Sequence, residues 1–184
     1  MSTFSDRNRT ALIVIDVQND VVAEAYRREE TIENISTLVI RARAARTPVI
    51  WVQHSDEELV KGSPGWEIVP ELSPAADEPR IEKIYGDSFE ATNLEQTLAS
   101  AGVGKLVVSG AESDACIRST VHGGFTRGYD VTLVSDAHTT SDMTEWGAPA
   151  PEVAISHINL YWQFQGAPQR TAAVVATDSV DFGS

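Results

Sequence analysis

Apolar residues along this chain follow two alternating rhythms, short unbroken runs of strand length and longer stretches that repeat every three to four positions. The strand-length segments fall at 10–15, 49–53, 81–84, 105–109, 129–135 and 172–176, the third of them alternating rather than unbroken. Between the first two, Ile32, Ile35, Leu38, Val39 and Ala42 keep a helical period that Pro48 stops. Thr92-Asn93-Leu94-Glu95 reads as a capping box opening a helix through Leu98, with Gly102 suited to its C′ position. A further helix carries Cys116, Ile117, Val121 and Phe125 up to Gly128. Pro151 reads as the first residue of a last helix reaching Phe164, before Gly166 and Pro168. Strands alternating with helices predict an α/β fold: a three-layer α/β/α sandwich around a Rossmann-like parallel sheet of about six strands, joined by right-handed crossovers.

Polar residues punctuate the strand ends. Asp16, His54 and Asp136 follow three of the runs, Lys83 alternates within the short third run, and Cys116 lies just past the run that ends at Ser109. In a parallel sheet these ends face one edge, the edge where open α/β sheets keep their ligand crevices. Cys116 is the sole cysteine, so it has no internal disulfide partner and serves either packing or nucleophilic chemistry. Its place in the first turn of a helix favours thiolate over thiol. Taken singly, each neighbour has a plainer reading. Asp16 suits a cap, Lys83 a surface lysine, His54 a hydrogen-bond donor behind a site, and Asp136 a turn or cap. Two long connections, 54–80 and 137–150, carry Trp66, Met143 and Trp146. They read equally as pocket walls or as seals of the domain or of a subunit interface.

Composition narrows the classes. The 184 residues predict one domain over 1–184, with 42% hydrophobic and 22% charged residues, ordinary for a globular protein. A net charge of −13 argues against nucleic acid or an anionic membrane as partner. No apolar run is long enough for a membrane span, and residues 1–9 lack the apolar core of a signal peptide. With one cysteine, the expected setting is the cytoplasm.

Four segments carry a resemblance that joins these residues. They are Ala11-Leu-Ile-Val-Ile-Asp-Val-Gln-Asn-Asp20; Glu82-Lys83 with Ser88-Phe89; Val108-Ser-Gly-Ala-Glu-Ser-Asp-Ala-Cys116-Ile-Arg-Ser-Thr120; and Gly128-Tyr-Asp-Val-Thr-Leu-Val-Ser-Asp-Ala137. Over about residues 10 to 176 the chain resembles the isochorismatase-like cysteine hydrolases, a superfamily that includes nicotinamidases and N-carbamoylsarcosine amidohydrolases. The resemblance implies Cys116 as nucleophile, Asp16 as general base and Lys83 as the cation beside them. It also implies a cis peptide between Ala111 and Glu112, and an oxyanion hole made of the backbone N–H groups of Glu112 and Cys116. Gln18, His54, Trp66, Phe89 and Trp146 are the candidate substrate-pocket residues.

The implied reaction is hydrolysis of a C–N bond (amide, ureido or lactam) in a small molecule through a Cys116 acyl-enzyme. Alternatives are isochorismatase-type vinyl-ether hydrolysis and a non-catalytic α/β scaffold that works through partner contacts. Nicotinamidases carry an Asp-x-His-type metal cluster after the second strand, whereas 51–57 here offers only His54 and no second nearby histidine. No metal and no cofactor are therefore expected. The resemblance further implies a homodimer or homotetramer acting on a small-molecule substrate.

Overall fold

The computed structural model describes residues 2–183. Its elements in chain order are β1 (Arg9–Ile15), α1 (Arg28–Ala44), β2 (Val49–His54), β3 (Arg80–Lys83), α2 (Leu94–Ser100) and β4 (Val103–Ala111). A π-helical turn (Ser113–Ile117) leads directly into α3 (Arg118–Arg127), followed by β5 (Asp130–Thr139), α4 (Pro151–Gln163), β6 (Gly166–Ala167) and β7 (Arg170–Val175). The sheet order is β3-β2-β1-β4-β5-β7-β6. Every neighbouring pair is parallel except β6 with β7. The seventh strand is the addition to the expected six: two residues are too short for any hydrophobic rhythm to announce them.

Alternation along β1 assigns the layers. Ala11, Ile13 and Ile15 face a core built with Leu94, Leu98, Val121, Phe125, Ile158 and Trp162, which puts α2, α3 and α4 on that side. Leu12 and Val14 face the other core, where Ile32, Ile35, Leu38, Val39 and Ala42 of α1 pack. Both faces of the sheet are covered, which is why its central strands are apolar throughout. Gly102 and Gly128 take positive φ of 66° and 108° just past α2 and α3, the left-handed stops that their sequence positions suggested.

Two local expectations fail for identifiable reasons. Thr92 Oγ1 accepts the Leu94 N–H at 3.2 Å, but Glu95 does not return to close a capping box. Its carboxylate takes Arg7 at 2.8 Å and the Tyr129 hydroxyl at 2.8 Å, so a tertiary contact outcompetes the local one. The strand after Gly128 also runs on to Thr139, past Asp136. Between Val108 and Gly110 the pairing with β5 slips, from Val108 opposite Leu133 to Gly110 opposite His138, so β5 bulges and re-pairs. No helix among the described residues is long and apolar enough to cross a membrane.

Candidate active site

The carboxyl ends of β1, β3 and β4 bring three distant residues together. Asp16 follows β1 with a left-handed φ of 51°, a conformation aspartate tolerates better than most residues. Its backbone N–H is held by the Val52 carbonyl at 2.9 Å. Lys83 ends β3 with its side chain fully buried, and its Nζ lies 2.6 Å from Asp16 Oδ2. The same Nζ lies 3.2 Å from Cys116 Sγ. Cys116 is half-buried on the π-helical turn after β4. The close approach of β1 and β4 depends on Gly110, whose φ is 121° and where an added Cβ would sit 2.0 Å from the Ile15 carbonyl oxygen. The Ala111–Glu112 peptide is cis.

The electrostatics differ from the expected thiolate. Burial, and then the adjacent Asp16 charge, push the Cys116 thiol up to about 11, more than Lys83 pulls it down. Lys83 does not offset burial and the Asp16 charge, which together favour the thiol over the thiolate. Burial also holds the Asp16 carboxyl above the ordinary carboxylate range, with Lys83 as the main opposing influence. The Asp16 carboxylate is buried, faces Lys83 through Oδ2 at 2.6 Å and interacts with the Cys116 thiol as a hydrogen-bond partner. A proton can therefore pass from Sγ to this carboxylate.

His54 extends this network. Its Nδ1 lies 3.4 Å from Lys83 Nζ and its Nε2 lies 3.2 Å from Asp56 Oδ2. An ammonium only donates, so Nδ1 accepts and the Nε2–H donates to Asp56. The chain Asp56–His54–Lys83 thus runs up to Asp16 and Cys116. Above it opens a cavity of about 560 Å³ with Asp16, His54 and Cys116 among its lining and Val21, Leu59 and Met143 as apolar wall.

Four of the five candidate pocket residues lie elsewhere. Gln18 is fully buried and works as a clamp: Nε2 donates to the carbonyls of His54 at 2.9 Å and Trp66 at 2.8 Å, while Oε1 accepts the His54 N–H at 2.8 Å. Trp66 is buried in the 54–80 connection, and its carbonyl serves that clamp. Phe89 belongs to the core against Tyr129, with the Arg127 guanidinium over its ring at 4.8 Å. Trp146 is 73% exposed and lies outside the cavity. Asp136 takes the plainer of its two readings, since its Oδ1 caps Thr177 through both the backbone N–H and the hydroxyl at 2.8 Å.

One network had no signal in the sequence. His138, buried on the re-paired end of β5, meets Ser113 Oγ through Nδ1 at 2.7 Å and Asn159 Oδ1 through Nε2 at 3.0 Å. Burial lowers the His138 pKa, which keeps the ring neutral. Thr140 Oγ1 donates to Asp114 Oδ1 at 2.7 Å nearby. Together they tie the turn that carries Cys116 to β5 and α4.

A buried carboxylate, lysine and thiol thus meet at the carboxyl edge of a parallel sheet, and comparison with known proteins puts the chain in a family of hydrolases. The isochorismatase domain family matches residues 10–154, and the chain belongs to that family. It is 33% identical over 136 residues to the secreted isochorismatase effector Isc1 of Verticillium dahliae, covering 70% of this chain and 71% of that protein. It is 34% identical over 139 residues to a streptothricin hydrolase of Streptomyces noursei, covering 72% of this chain but only 55% of that longer protein. Among solved structures, an isochorismatase from Pseudomonas putida KT2440 superposes with a TM-score of 0.83 at 28% identity, over 94% of this chain and 90% of its own.

Proposed function

We propose that this protein is a cysteine hydrolase that cleaves a C–N bond (amide, ureido or lactam) in a small molecule. One observation carries the reading: Lys83 Nζ stands between Asp16 Oδ2 at 2.6 Å and Cys116 Sγ at 3.2 Å, beneath a cavity that both residues line. An acid-only vinyl-ether cleavage has no use for a thiol so placed.

The proposed reaction has two halves. Asp16 takes the thiol proton as Sγ attacks the carbonyl carbon, and Lys83 neutralises negative charge as it moves between the two groups. The tetrahedral oxyanion rests on the N–H groups of Glu112 and Cys116, both of which border the cavity. Asp16 returns the proton to the leaving nitrogen, and the C–N bond breaks to give a thioester. Water then attacks the thioester as Asp16 takes one of its protons. The acid product leaves, and the proton returns to Sγ. His54 acts through Lys83, fixing the ammonium between its two anionic partners.

Ammonia release across a panel of small amides tests the proposal, with wild type compared with Cys116→Ala. Release by wild type alone supports it, and hydrolysis that survives the substitution contradicts it. The same reading includes a cytoplasmic homo-oligomer. Exposed Val153, Leu160 and Phe164 on and beside α4 support assembly, and light scattering after size exclusion tests it.

A further inference from the structure

On the reading of Cys116 as nucleophile, we propose that His138 is a positioning residue for acyl transfer. Through Ser113 it sets the backbone that turns the N–H groups of Glu112 and Cys116 toward the developing oxyanion.

The end of β5 and the residues just past it grip three consecutive residues of the turn that follows β4. Ser141 gives its N–H to Glu112 Oε1 at 3.3 Å, His138 Nδ1 meets the Ser113 hydroxyl at 2.7 Å, and Thr140 donates to Asp114 Oδ1 at 2.7 Å. These contacts are not equivalent. Glu112 is half-buried and Asp114 exposed, so water can stand in for either partner. Ser113 and His138 are 0% and 2% exposed, out of reach of solvent. A buried hydroxyl that loses its acceptor has no replacement, so this bond fixes the backbone where its neighbours only steady it. Ser113 also lies directly after Glu112 and three residues before Cys116, between the two N–H donors.

The direction of each bond in the network follows from its far end. The Ser135 carbonyl only accepts, so it takes Asn159 Nδ2 at 3.0 Å and leaves Asn159 Oδ1 facing His138 Nε2. That oxygen also only accepts, so the proton of the neutral ring sits on Nε2 and Nδ1 is bare. The Ser113 hydroxyl therefore donates to Nδ1. Asn159 belongs to α4 and His138 to β5, so the hydroxyl is held from two packed elements outside its own turn. His138 stands opposite Gly110 in the re-paired register, beside the strand from which the turn departs.

The turn has a form that such a hold preserves. The Glu112 carbonyl accepts the N–H groups of Ala115 at 3.1 Å and Ile117 at 3.0 Å, a spacing that passes over Cys116. An α-helical turn would instead spend the Cys116 N–H on that carbonyl, four residues back. Holding Ser113 keeps the π-helical form and leaves the Cys116 N–H to the oxyanion.

Two reagents that meet the same sulfur by different routes separate positioning from general bracing. With p-nitrophenyl acetate, Sγ attacks the carbonyl carbon and a tetrahedral oxyanion forms. The C–O bond then breaks, p-nitrophenolate leaves and the acetyl group stays on sulfur. Iodoacetamide reacts at a saturated carbon, iodide leaves, and no oxyanion forms. Both rates at Cys116 would be followed by mass spectrometry at pH 8 in wild type, Ser113→Ala, His138→Leu, His138→Asn and His138→Gln.

Ser113→Ala and His138→Leu should each slow acetylation by about tenfold while leaving alkylation within about twofold. His138→Asn, whose Oδ1 falls near the place of Nδ1, should recover part of the loss. His138→Gln, whose amide reaches toward Asn159 instead, should not. Ser113→Ala combined with His138→Leu should be about as slow as the slower single variant, because the two changes remove one bond. Equal loss of both rates would make His138 a brace of the fold only, and unchanged rates would remove it from the reaction. Either result overturns the proposal and leaves Cys116 standing as nucleophile. Ser113→Ala deletes a single oxygen, so it gives the answer even where the His138 variants fold poorly. A wild type that takes up no acetyl group at Cys116 overturns the nucleophile itself, and the positioning role with it.

Discussion

Two carboxylates, Asp16 and Glu78, sit beside basic groups, and the contrast between them separates a site from a brace. Glu78 has its valences filled: Arg43 donates Nε to Oε1 at 2.8 Å and Nη2 to Oε2 at 2.9 Å, and Oε2 also accepts the Trp51 Nε1–H at 2.7 Å and the Ala75 N–H at 2.8 Å. Burial alone would raise its pKa, but these donors win and hold it below the usual range. Asp16 is more deeply buried and has one close cation and a thiol in place of four donors, so burial wins and its pKa rises. A filled carboxylate fastens the 54–80 connection to α1 and β2. An unfilled one is able to accept a proton.

The largest expected effect is on turnover. Cys116→Ala should lower hydrolysis by at least about 10³-fold, with an unchanged circular dichroism spectrum, because a half-buried thiol trimmed to a methyl leaves the core intact. Asp16→Asn should cost about 10²–10⁴-fold, measured as kcat/KM, since an amide cannot take the proton. In wild type, kcat/KM should rise with pH through an acid limb above the ordinary Asp value of about 3.9, because Asp16 must ionise to act.

Glu78→Gln should instead spare chemistry and cost stability, by about 1–3 kcal/mol for the lost charge-assisted bonds, read by denaturant melts. The signs of the two pH effects are opposite. Glu78 has a depressed pKa in the folded state, so its contribution is complete above the unfolded value of about 4.3 and fades as pH falls through the folded one. Asp16 has a raised pKa, so the folded state holds its proton more tightly and its contribution is lost as pH rises through that value. The smallest effect belongs to Trp146→Ala, which should leave stability within about 0.5 kcal/mol and turnover unchanged. A large loss of activity there would restore Trp146 to the pocket.

The comparison also explains what was legible in the sequence. The six main strands and four helices announced themselves because burial on both faces makes continuous apolar runs and helical period visible locally. Asp16, Lys83 and Cys116 were readable because parallel topology sends strand ends to one edge, and the resemblance then gave them an order. Aromatic residues in long connections carry no such information. Trp66 and Phe89 are buried, Trp146 is exposed, and nothing in their neighbours along the chain distinguishes these outcomes. Gln18 lies beside the site in sequence, but its amide is consumed by the His54 backbone and the Trp66 carbonyl. His138, Ser113 and Asn159 meet only because β5 bulges and re-pairs, a register change that no periodicity encodes. The resting state of Cys116 was misread for a related reason: a helix start is visible in sequence, whereas the depth of burial and the distance to Asp16 are not.

The rate of Cys116 alkylation by iodoacetamide as a function of pH, in wild type and in Asp16→Asn, tests the pairing of thiol and base most directly. In wild type the rate should climb toward a pKa of about 11. In the variant, with the negative neighbour gone and Lys83 still 3.2 Å from Sγ, the curve should move to lower pH and the rate at pH 8 should rise even as turnover is lost. Superimposable curves would mean that the Asp16 charge does not act on the thiol, and would contradict the account.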